Sequence, residues 1–451
     1  MTTSEQDSSG SRVLETATHD AEIEQRRERW GWVEPAIWTT RHPCAGTRAA
    51  LETGVKGGRW FSLMDKVSAE RTLAAAWDRV KRNRGAAGVD RQSISAFEAH
   101  AERYLGELAT ALRNGTYRPR PVRRVWIDKP GCKEQWPLGI PTVKDRVVET
   151  ALELVLEPIF ETGFAEQRYG FRPGRGCKDA LRRVETLLHG GAVWVVDVDL
   201  AAYFDTIPRD GLMQAVERKV ADGRVLGLLR HCLTQGVMEG MERWEPEAGV
   251  PQGAVISPLL ANVYLDPLDH LLADGGWEMV RYADDFVVLC ASRAEAEAAL
   301  GMIQDWVEAQ GLMLHADKTR IVDARERGGF DFLGYHFERG MHWPKRESTK
   351  RFRRAVKAKT RRSSGDSLVT IIRSINPIIR GWYGYYRHSH KTTFERLDGY
   401  VRMRLRSILR KRHGGKGRGR GTDHYRWPNA YFDAQGLFTM IAARKAAGYP
   451  R

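Results

Sequence analysis

Two adjacent aspartates, Asp284 and Asp285, stand between two short apolar runs in the segment MVRYADDFVVLC. Neighbouring carboxylates repel each other and lose hydration on burial, so a cation is expected beside them. A third carboxylate, Asp199, ends the β-branched run AVWVVDVDL. Carboxylate oxygens suit Mg²⁺, and a pair of such ions can activate an attacking hydroxyl and stabilise a leaving group in phosphoryl transfer. The three aspartates are therefore candidate ligands for catalytic metal ions.

The segments that carry these aspartates predict one small sheet. Alternating β-branched residues predict strands, and apolar residues at helical spacing predict helices. The predicted elements are, in order, a strand over 192–200, helices over 214–229 and 259–272, a hairpin of strands 277–282 and 286–290, a helix opened by the capping box of Ser292 and Glu295, and a strand over 319–322. This order is that of the split βαβ, ferredoxin-like sheet, in which the first strand and the central hairpin are neighbours. Asp199 is therefore expected to face the Asp284–Asp285 turn.

Length and composition describe a globular protein. The chain has 451 residues, of which 42% are hydrophobic and 29% charged, which is enough for several folded domains. Its apolar runs are too short to span a membrane, and its polar start lacks the apolar segment of a secretory signal. The five cysteines include no C-x-x-C pair, which argues against a disulfide framework and a zinc ribbon. We expect a cytoplasmic protein with reduced cysteines and no membrane partner.

Positive charge is concentrated near the C-terminus. The net charge is +15, yet residues 345–420 alone contain 24 Lys and Arg against four acids, so the rest of the chain is mildly acidic. Such a basic segment is typical of a protein that binds a phosphate backbone, and interleaved aromatic residues can stack on bases. The alternative is a solvated, charged helix face. The residues expected to bind a nucleic acid, which the family resemblance below implies to be RNA, are Arg380, Trp382, Tyr386, Arg402, Arg406 and Arg410.

Several motifs together resemble a known family. RYADDFVVL, VDVDLAAYFDTI, GVPQGAVISPLLANVYLDPLD, PLGIPTVKDRVVE, RYGFRPGRGCKDAL, GLMLHADKTRIV and FDFLGYHF are similar to the blocks of a group II intron reverse transcriptase/maturase, in the right order. WFSLMDKVSAERTLAAAWDRVKRNRGAAGVDRQSI resembles that family's N-terminal extension, and INPIIRGWYGYYRHS resembles its thumb, or maturase, domain. The resemblance covers about residues 54–400, and the segment YRWPNAYFDAQGLF is similar to the ending of members that lack an endonuclease.

The resemblance implies an α+β right-hand polymerase, with fingers and a ferredoxin-like palm that carries the YADD hairpin, followed by a basic helical thumb. The implied domains are a polar leader (1–53), an N-terminal extension (54–110), reverse transcriptase fingers and palm (111–340), a thumb or maturase domain (341–410), and a basic Gly-rich linker with a tail module (411–451).

Family roles follow for individual positions. Asp199, Asp284 and Asp285 would hold two Mg²⁺ ions, with Mn²⁺ as an alternative, in a nucleotidyltransferase reaction. The residues expected to contact the incoming nucleotide are Lys144, Arg146, Phe204, Gln252 and Lys318. The residues expected to contact primer or template are Arg172, Gly249, Pro251, Gly253, Phe332, Leu333 and Gly334.

Some of these positions have a second interpretation. Phe204 resembles the aromatic gate that excludes a 2′-hydroxyl, but a core aromatic would fit the same pattern. Lys144 and Arg146 could be solvated charges at a helix N-terminus. Asp197 and Asp205 flank the catalytic strand and are assigned no metal, a choice that rests on the family alone because Asp197 shares a strand face with Asp199.

Two departures from the family pattern matter. Trp136 stands where the family usually has Arg, which removes one charge from the fingers and raises the possibility of weaker nucleotide binding. The C-terminal segment lacks the Cys and His pattern of the family's H-N-H endonuclease, so no second-strand cleavage is expected.

The expected function is RNA-directed DNA synthesis together with maturase assistance of group II intron splicing and retrohoming. The expected partners are intron RNA as template, a DNA or RNA primer, and deoxynucleoside triphosphates, while the oligomeric state stays open. The alternatives are a host-recruited reverse transcriptase in phage defence or CRISPR spacer acquisition, a splicing factor without polymerase activity, and a two-metal nuclease. Intact carboxylates disfavour the splicing factor, and the PQG loop and basic thumb disfavour the nuclease.

Overall fold

The computed structural model describes residue 51 and residues 58–128, 135–240 and 242–448. Apart from residue 51, the predicted leader lies outside this part of the chain, as does the side chain of Trp136. The chain divides into two compact units, one ending at Val322 and one beginning at Asp323. The domain boundaries expected from the sequence stay predictions.

The N-terminal unit begins with a group of helices. They are α1 (Met64–Val67), α2 (Glu70–Asn83), α3 (Ile94–Glu98) and α4 (Ala101–Arg113). Helix α3 begins where the Ser93 hydroxyl accepts the N–H of Ala96, and α2 buries one apolar face that includes Leu73, Trp77 and Val80. These helices share one hydrophobic core with the rest of the unit.

The region expected to form the fingers follows. It contains β1 (Val122–Asp128), β2 (Gln135–Ile140), α5 (Val143–Glu161) and α6 (Cys177–His189). Strand β1 pairs antiparallel with β2, and the Thr142 hydroxyl caps α5 by accepting the N–H of Asp145. Helix α5 is buried on almost every side, including several of its carboxylates, so it runs through the core rather than over it.

The next region contains the elements predicted around the aspartates together with further short elements. They are β3 (Trp194–Asp199), α7 (Tyr203–Thr206), α8 (Arg209–Glu217), α9 (Gly223–Leu233), β4 (Val237–Glu239), β5 (Glu242–Trp244), α10 (Ser257–Asp274), β6 (Glu278–Tyr282), β7 (Asp285–Cys290), α11 (Arg293–Ala309) and β8 (Arg320–Asp323). The palm sheet has the order β6-β7-β3-β8, whereas β4 and β5 extend the fingers sheet as β2-β1-β4-β5. The predicted ferredoxin-like order, with the first strand beside the hairpin, is confirmed.

One helix prediction is wrong in detail. The pattern over 214–229 is not one helix, because α8 ends at Glu217 and α9 begins at Gly223. Asp222 separates them: its carboxylate accepts the N–H groups of Arg224 and Val225 at the start of α9. The same carboxylate accepts the N–H groups of Leu63 and Met64, so it also holds the start of α1. The break therefore combines a local N-cap with a contact between segments far apart in sequence.

The C-terminal unit combines a small sheet with helices. Its elements are β9 (Phe330–Phe332), β10 (Tyr335–Glu338), β11 (Met341–Pro344), α12 (Arg346–Lys359), α13 (Leu368–Tyr386), α14 (Lys391–Arg412), α15 (Asp423–Arg426), α16 (Asn429–Ala434) and α17 (Met440–Ala446). The three strands pair in the order β11-β10-β9. The tail shares one core with the long helices, because Trp427, Phe432 and Met440 are buried in the same cluster as residues of α13 and α14. Among the described helices, none has the length and apolarity needed to cross a bilayer.

Candidate active site

The turn that carries the aspartate pair is tight and strained. Strand β6 ends at Tyr282 and β7 begins with its partner Asp285, so only Ala283 and Asp284 connect them. Ala283 has a φ of 62°, a left-handed conformation that a residue with a Cβ adopts only when its surroundings enforce it. The backbone of Gly170 lies against the turn, since a Cβ there would be 2.3 Å from the Ala283 nitrogen. The turn is therefore held by contacts from outside the hairpin.

A buried ion pair supports this turn. The Arg281 side chain is fully buried and donates from Nε to Asp269 Oδ1 at 2.6 Å, while its Nη2 contacts the other carboxylate oxygen. Its Nη1 donates to Asn262 Oδ1 at 3.1 Å and to the Ala283 carbonyl at 2.8 Å. A bidentate guanidinium–carboxylate pair has a defined geometry. Arg281 therefore links helix α10 to the strained residue beside the aspartates.

The sheet brings the three predicted carboxylates to one edge. Asp199 lies directly opposite Asp285 in the antiparallel pairing of β3 and β7, and Asp284 precedes Asp285 in the turn. Burial raises the pKa of Asp284, and the negative charge of Asp199 raises it further. The two carboxylates are thus close enough to repel each other, which is the condition that a bound cation would relieve.

Lysine compensates part of this negative charge. Lys318 Nζ donates to both carboxylate oxygens of Asp199, at 3.1 and 3.3 Å. Asp197, to which no metal was assigned, pairs with Arg320 at 3.5 Å. Across the described ranges, no three His, Cys, Asp or Glu side chains converge as a ready-made metal site. The aspartates share one edge of the sheet, with the ammonium of Lys318 against the first of them.

Phe204 is part of helix α7, which follows strand β3. Its ring is half-buried, packs against the core and meets the ring of Tyr203 edge-on at 5.6 Å. The Tyr203 side chain itself is buried and donates from its hydroxyl to the Ala261 carbonyl. Because Phe204 retains an exposed part, its position is compatible with both a gate and a core aromatic.

The predicted substrate loop 249–253 is packed between palm and fingers. Gly249 has a φ of 83°, and its nitrogen donates to the Ile207 carbonyl at 3.0 Å. Pro251 accepts the Ser257 hydroxyl through its carbonyl at 2.8 Å. Gly253 has a φ of 97°, and a Cβ there would lie 2.4 Å from the Gly139 oxygen. The glycines are required by backbone conformation and close approach, independently of any nucleic acid.

The two predicted triphosphate contacts on α5 bind the N-terminal extension. Lys144 Nζ lies 3.2 Å from Glu107 Oε2 and 4.4 Å from the centre of the Tyr104 ring. Arg146 Nη2 donates to the Ala86 carbonyl at 2.6 Å. Both cations are therefore engaged within the protein, and any nucleotide would have to compete with these contacts.

Arg172, predicted to contact primer or template, is buried. Its Nε donates to Glu161 Oε1 at 2.7 Å, and its Nη1 donates to the Ala165 carbonyl at the same distance. These contacts fold the segment between α5 and α6 onto itself. None of these contacts connects Arg172 with Asp199, Asp284 or Asp285.

The predicted primer grip lies in the C-terminal unit, at the turn between β9 and β10. Phe332 is fully buried, while Leu333 and Gly334 have φ values of 46° and 82°. The Tyr385 hydroxyl donates to the Leu333 carbonyl at 2.7 Å. This turn is thus attached to α13 within its own unit.

Two of the predicted RNA-binding arginines hold the tail in place. Arg406 is buried and donates from Nε to the Trp427 carbonyl at 2.9 Å and from Nη2 to Asn429 Oδ1 at 2.8 Å. Arg410 Nη1 donates to Asp423 Oδ2 at 2.7 Å. These guanidinium groups therefore have partners within the unit, and Arg406 offers almost no surface to a ligand.

The other predicted RNA contacts are distributed over α13 and α14. Trp382 and Tyr386 pack on each other with ring centres 4.6 Å apart, and Tyr386 is buried. Arg380 is exposed, with its guanidinium 5.3 Å from the centre of the Phe438 ring. Arg402 is half-buried on α14. Of these four side chains, only Arg380 is exposed.

Sequence reasoning missed the supports of the site. Arg281, Asp269 and Asn262 were assigned no role, although each is a polar residue in an apolar stretch. Asn262 and Asp269 are seven residues apart, so they share one face of α10. That spacing, together with an arginine on the strand before YADD, could have predicted a polar contact between α10 and the hairpin.

Comparison with known proteins identifies two domains. The sequence pattern of the family described as "Reverse transcriptase (RNA-dependent DNA polymerase)" matches residues 127–337. The pattern described as "Group II intron, maturase-specific domain" matches residues 349–427. Reverse transcriptases copy RNA into DNA with the help of divalent metal ions, so the matched region agrees with the carboxylate edge described above.

Individual proteins are similar to parts of this chain. Protein YkfC of Escherichia coli (strain K12) is 35% identical over 292 residues, covering 56% of this chain and 76% of the relative. Group II intron-encoded protein LtrA of Lactococcus lactis subsp. cremoris is 37% identical over 175 residues, covering 39% of this chain but only 29% of LtrA. A solved structure of telomerase from Candida albicans with a telomeric RNA fragment aligns with a TM-score of 0.41 and 12% identity, over 77% of this chain and 69% of that chain.

The order of the two matched domains is the order expected from the motifs. A reverse transcriptase domain comes first and a maturase-specific domain follows, so one polypeptide contains both domains. Together with a relative matched over three quarters of its own length, these domains show that the chain belongs to the group II intron reverse transcriptase/maturase family.

Proposed function

We propose that this chain extends a DNA or RNA primer with deoxynucleotides on an RNA template, using two Mg²⁺ ions bound by Asp199, Asp284 and Asp285. We also propose that it binds group II intron RNA as a maturase. One observation carries the first part: Asp199 faces Asp285 across the β3–β7 pairing, with Asp284 in the adjoining turn, inside the matched reverse transcriptase domain.

The donor chemistry of this edge fits Mg²⁺. All three side chains offer carboxylate oxygens, the ligands that Mg²⁺ prefers, and the repulsion between Asp199 and Asp284 would be relieved by a bound cation. When bound, the ions would favour ionisation of the primer 3′-hydroxyl and neutralise charge on the leaving pyrophosphate. Lys318, which now pairs with Asp199, would supply positive charge near the phosphates after that contact is exchanged.

The protein's own groups would orient the nucleotide. Phe204 presents a half-buried ring directly after the catalytic strand, and Gln252 presents an amide from the loop 249–253. An aromatic ring in that place would pack under a deoxyribose and leave no room for a 2′-hydroxyl. Ala283, held by Arg281, would keep Asp284 at a fixed position while the nucleotide binds.

RNA binding would rest on the cations that remain exposed in the C-terminal unit. Helix α12 buries Phe352 and Val356 and exposes a row of basic residues on its other faces. The exposed cations of this helix are Arg346, Lys350, Arg351, Arg353, Arg354, Lys357 and Lys359. Phosphate neutralisation by such a row gives binding that weakens with salt.

Primer extension tests the catalytic proposal. The full-length chain would be assayed with an RNA template, a DNA primer and deoxynucleotides in Mg²⁺ buffer. Asp284→Asn removes one ligand charge and should lower the extension rate by at least about a hundredfold, in the range seen when groups that stabilise transition-state charge are lost. Asp305→Asn, an exposed aspartate on α11, is the matched control and should keep wild-type activity.

Two measurements separate loss of chemistry from loss of folding or RNA binding. The thermal melting of Asp284→Asn should match wild type, and its affinity for group II intron RNA should be unchanged. Extension by Asp284→Asn near the wild-type rate would contradict the assignment of the site. A wild-type chain that binds intron RNA but extends no primer would instead favour a splicing factor.

A further inference from the structure

We propose that Asp205 is a positioning residue for the incoming nucleotide, because it fixes the side-chain amide of Gln252 beside Phe204. The inference deepens the proposed polymerase function and rests on it. It assigns a task to an aspartate that flanks the catalytic strand and to which no metal was assigned.

The backbone of the loop 249–253 packs against the backbone of Phe204 and Asp205. The Val250 nitrogen donates to the Phe204 carbonyl at 2.8 Å. A Cβ on Gly249 would lie 2.6 Å from the Phe204 oxygen and 2.7 Å from the Asp205 oxygen, so there is no space for a side chain between loop and helix α7. The loop that carries Gln252 and the segment that carries Phe204 and Asp205 therefore form one packed unit.

Gln252 is held from two sides. Its main-chain oxygen accepts the N–H of Gly139 in strand β2 at 2.7 Å. Its side-chain Nε2 donates to Asp205 Oδ2 at 2.9 Å. The main chain is thus anchored to the fingers sheet, and the side chain is anchored to the palm.

The chemistry of the partner sets the orientation of the amide. An ionised carboxylate accepts hydrogen bonds and donates none, so the Gln252 amide must present an N–H, not its oxygen, to Asp205. Burial raises the pKa of Asp205 above its ordinary value, and the bond with Gln252 and the charge of Arg124 offset part of that rise. One N–H and the oxygen of the amide are left for a ligand, in an orientation that is fixed before the ligand arrives.

Steady-state kinetics of the full-length chain would test this role. The probe is dTTP, with a poly(rA) template and an oligo(dT) primer. Asp205→Ala should raise KM for dTTP about five- to tenfold, the effect of losing one hydrogen bond of ordinary strength, and change kcat less than about twofold. Asp205→Asn keeps an acceptor of the same size and should restore KM to within about threefold of wild type.

A double-mutant cycle shows whether Asp205 acts through Gln252. Adding Asp205→Ala to Gln252→Ala should raise KM no further than Gln252→Ala alone, because the residues would share one interaction. Asp210→Ala, an exposed aspartate on α8, is the control for loss of charge and should leave KM unchanged.

The outcomes are distinguishable. An active wild type whose KM is unaffected by Asp205→Ala, or a double variant with fully additive effects, would overturn this inference and leave the proposed function standing. A fall in kcat without a change in KM would also overturn it, because that result indicates a role in the chemical step. A wild type that extends no primer overturns the proposed function, and the inference with it.

Discussion

Two buried arginines, one in each unit of the chain, have partners of different kinds. In the N-terminal unit, Arg281 is paired with a carboxylate, Asp269, and this pair supports the turn that carries the catalytic candidates. In the C-terminal unit, Arg406 is satisfied by a main-chain carbonyl and a neutral amide oxygen, and it attaches the tail to α14. The first arrangement positions a site, whereas the second completes a core. A count of basic residues therefore overstates the surface that is free for RNA.

The ion pair of the palm should give the largest effect. Asp269→Ala leaves the Arg281 guanidinium buried without its counter-charge, so we expect the free energy of unfolding to fall by about 3–5 kcal/mol. Urea denaturation of the full-length chain measures this change. Asp274→Ala removes an exposed aspartate at the end of the same helix and should change stability little. Equal urea midpoints for Asp269→Ala and wild type would show that Arg281 does not depend on its counter-charge, and the contrast with Arg406 would be lost.

Glu149 offers a pH test confined to the N-terminal unit. Its buried carboxyl accepts the N–H of Val255 at 2.6 Å, and burial raises its pKa from 4.5 to about 8. The folded state therefore keeps a proton that the unfolded chain loses above about pH 4.5, so wild-type stability should fall as pH rises toward 8. The expected loss attributable to this group is roughly 2–3 kcal/mol between pH 5 and pH 7.

Glu149→Gln removes that titration, since glutamine stays neutral at every pH. The variant should have a shallower decline of unfolding free energy between pH 5 and pH 7, and it should be the more stable protein at pH 7. Glu308→Gln, an exposed glutamate on α11, is the matched control and should retain the wild-type slope. An identical slope in wild type and Glu149→Gln would show that the buried carboxyl does not behave as its surroundings imply.

The arginine that holds the tail should give the smallest of the three effects. Arg406→Ala leaves the Trp427 carbonyl and the Asn429 amide oxygen without this donor, and about 2 kcal/mol of stability should be lost. Hydrogen exchange measured by peptide should show faster exchange in residues 422–448. Arg396→Ala, an exposed arginine on the same helix, should leave exchange in the tail unchanged. Weaker RNA binding by Arg406→Ala with an intact tail would instead support the role expected from the sequence.

Much of the palm was predictable because its patterns are local. The hairpin β6–β7 has apolar strands on both sides of two adjacent acids, and the first residues of α11 carry their own capping signal. The break between α8 and α9 was missed because the pattern of apolar residues continues across it, although Asp222 is a typical N-cap residue. It depends on Asp222, whose carboxylate binds N–H groups from α1 as well as from its own helix.

The sequence by itself determined the family, the order of elements and the three carboxylates of the candidate site, because strand and helix periodicity and ordered motifs are written along the chain. Tertiary structure alone decided which charges are used internally. Arg281 and Arg406 are both arginines in apolar surroundings, but one meets Asp269 and the other meets the tail. A buried charge without a partner is strongly destabilising, so a neighbouring group must bind it. That neighbour comes from whichever segment packs against the charge in the folded chain. The spacing of residues along the chain therefore does not predict which group binds a buried charge.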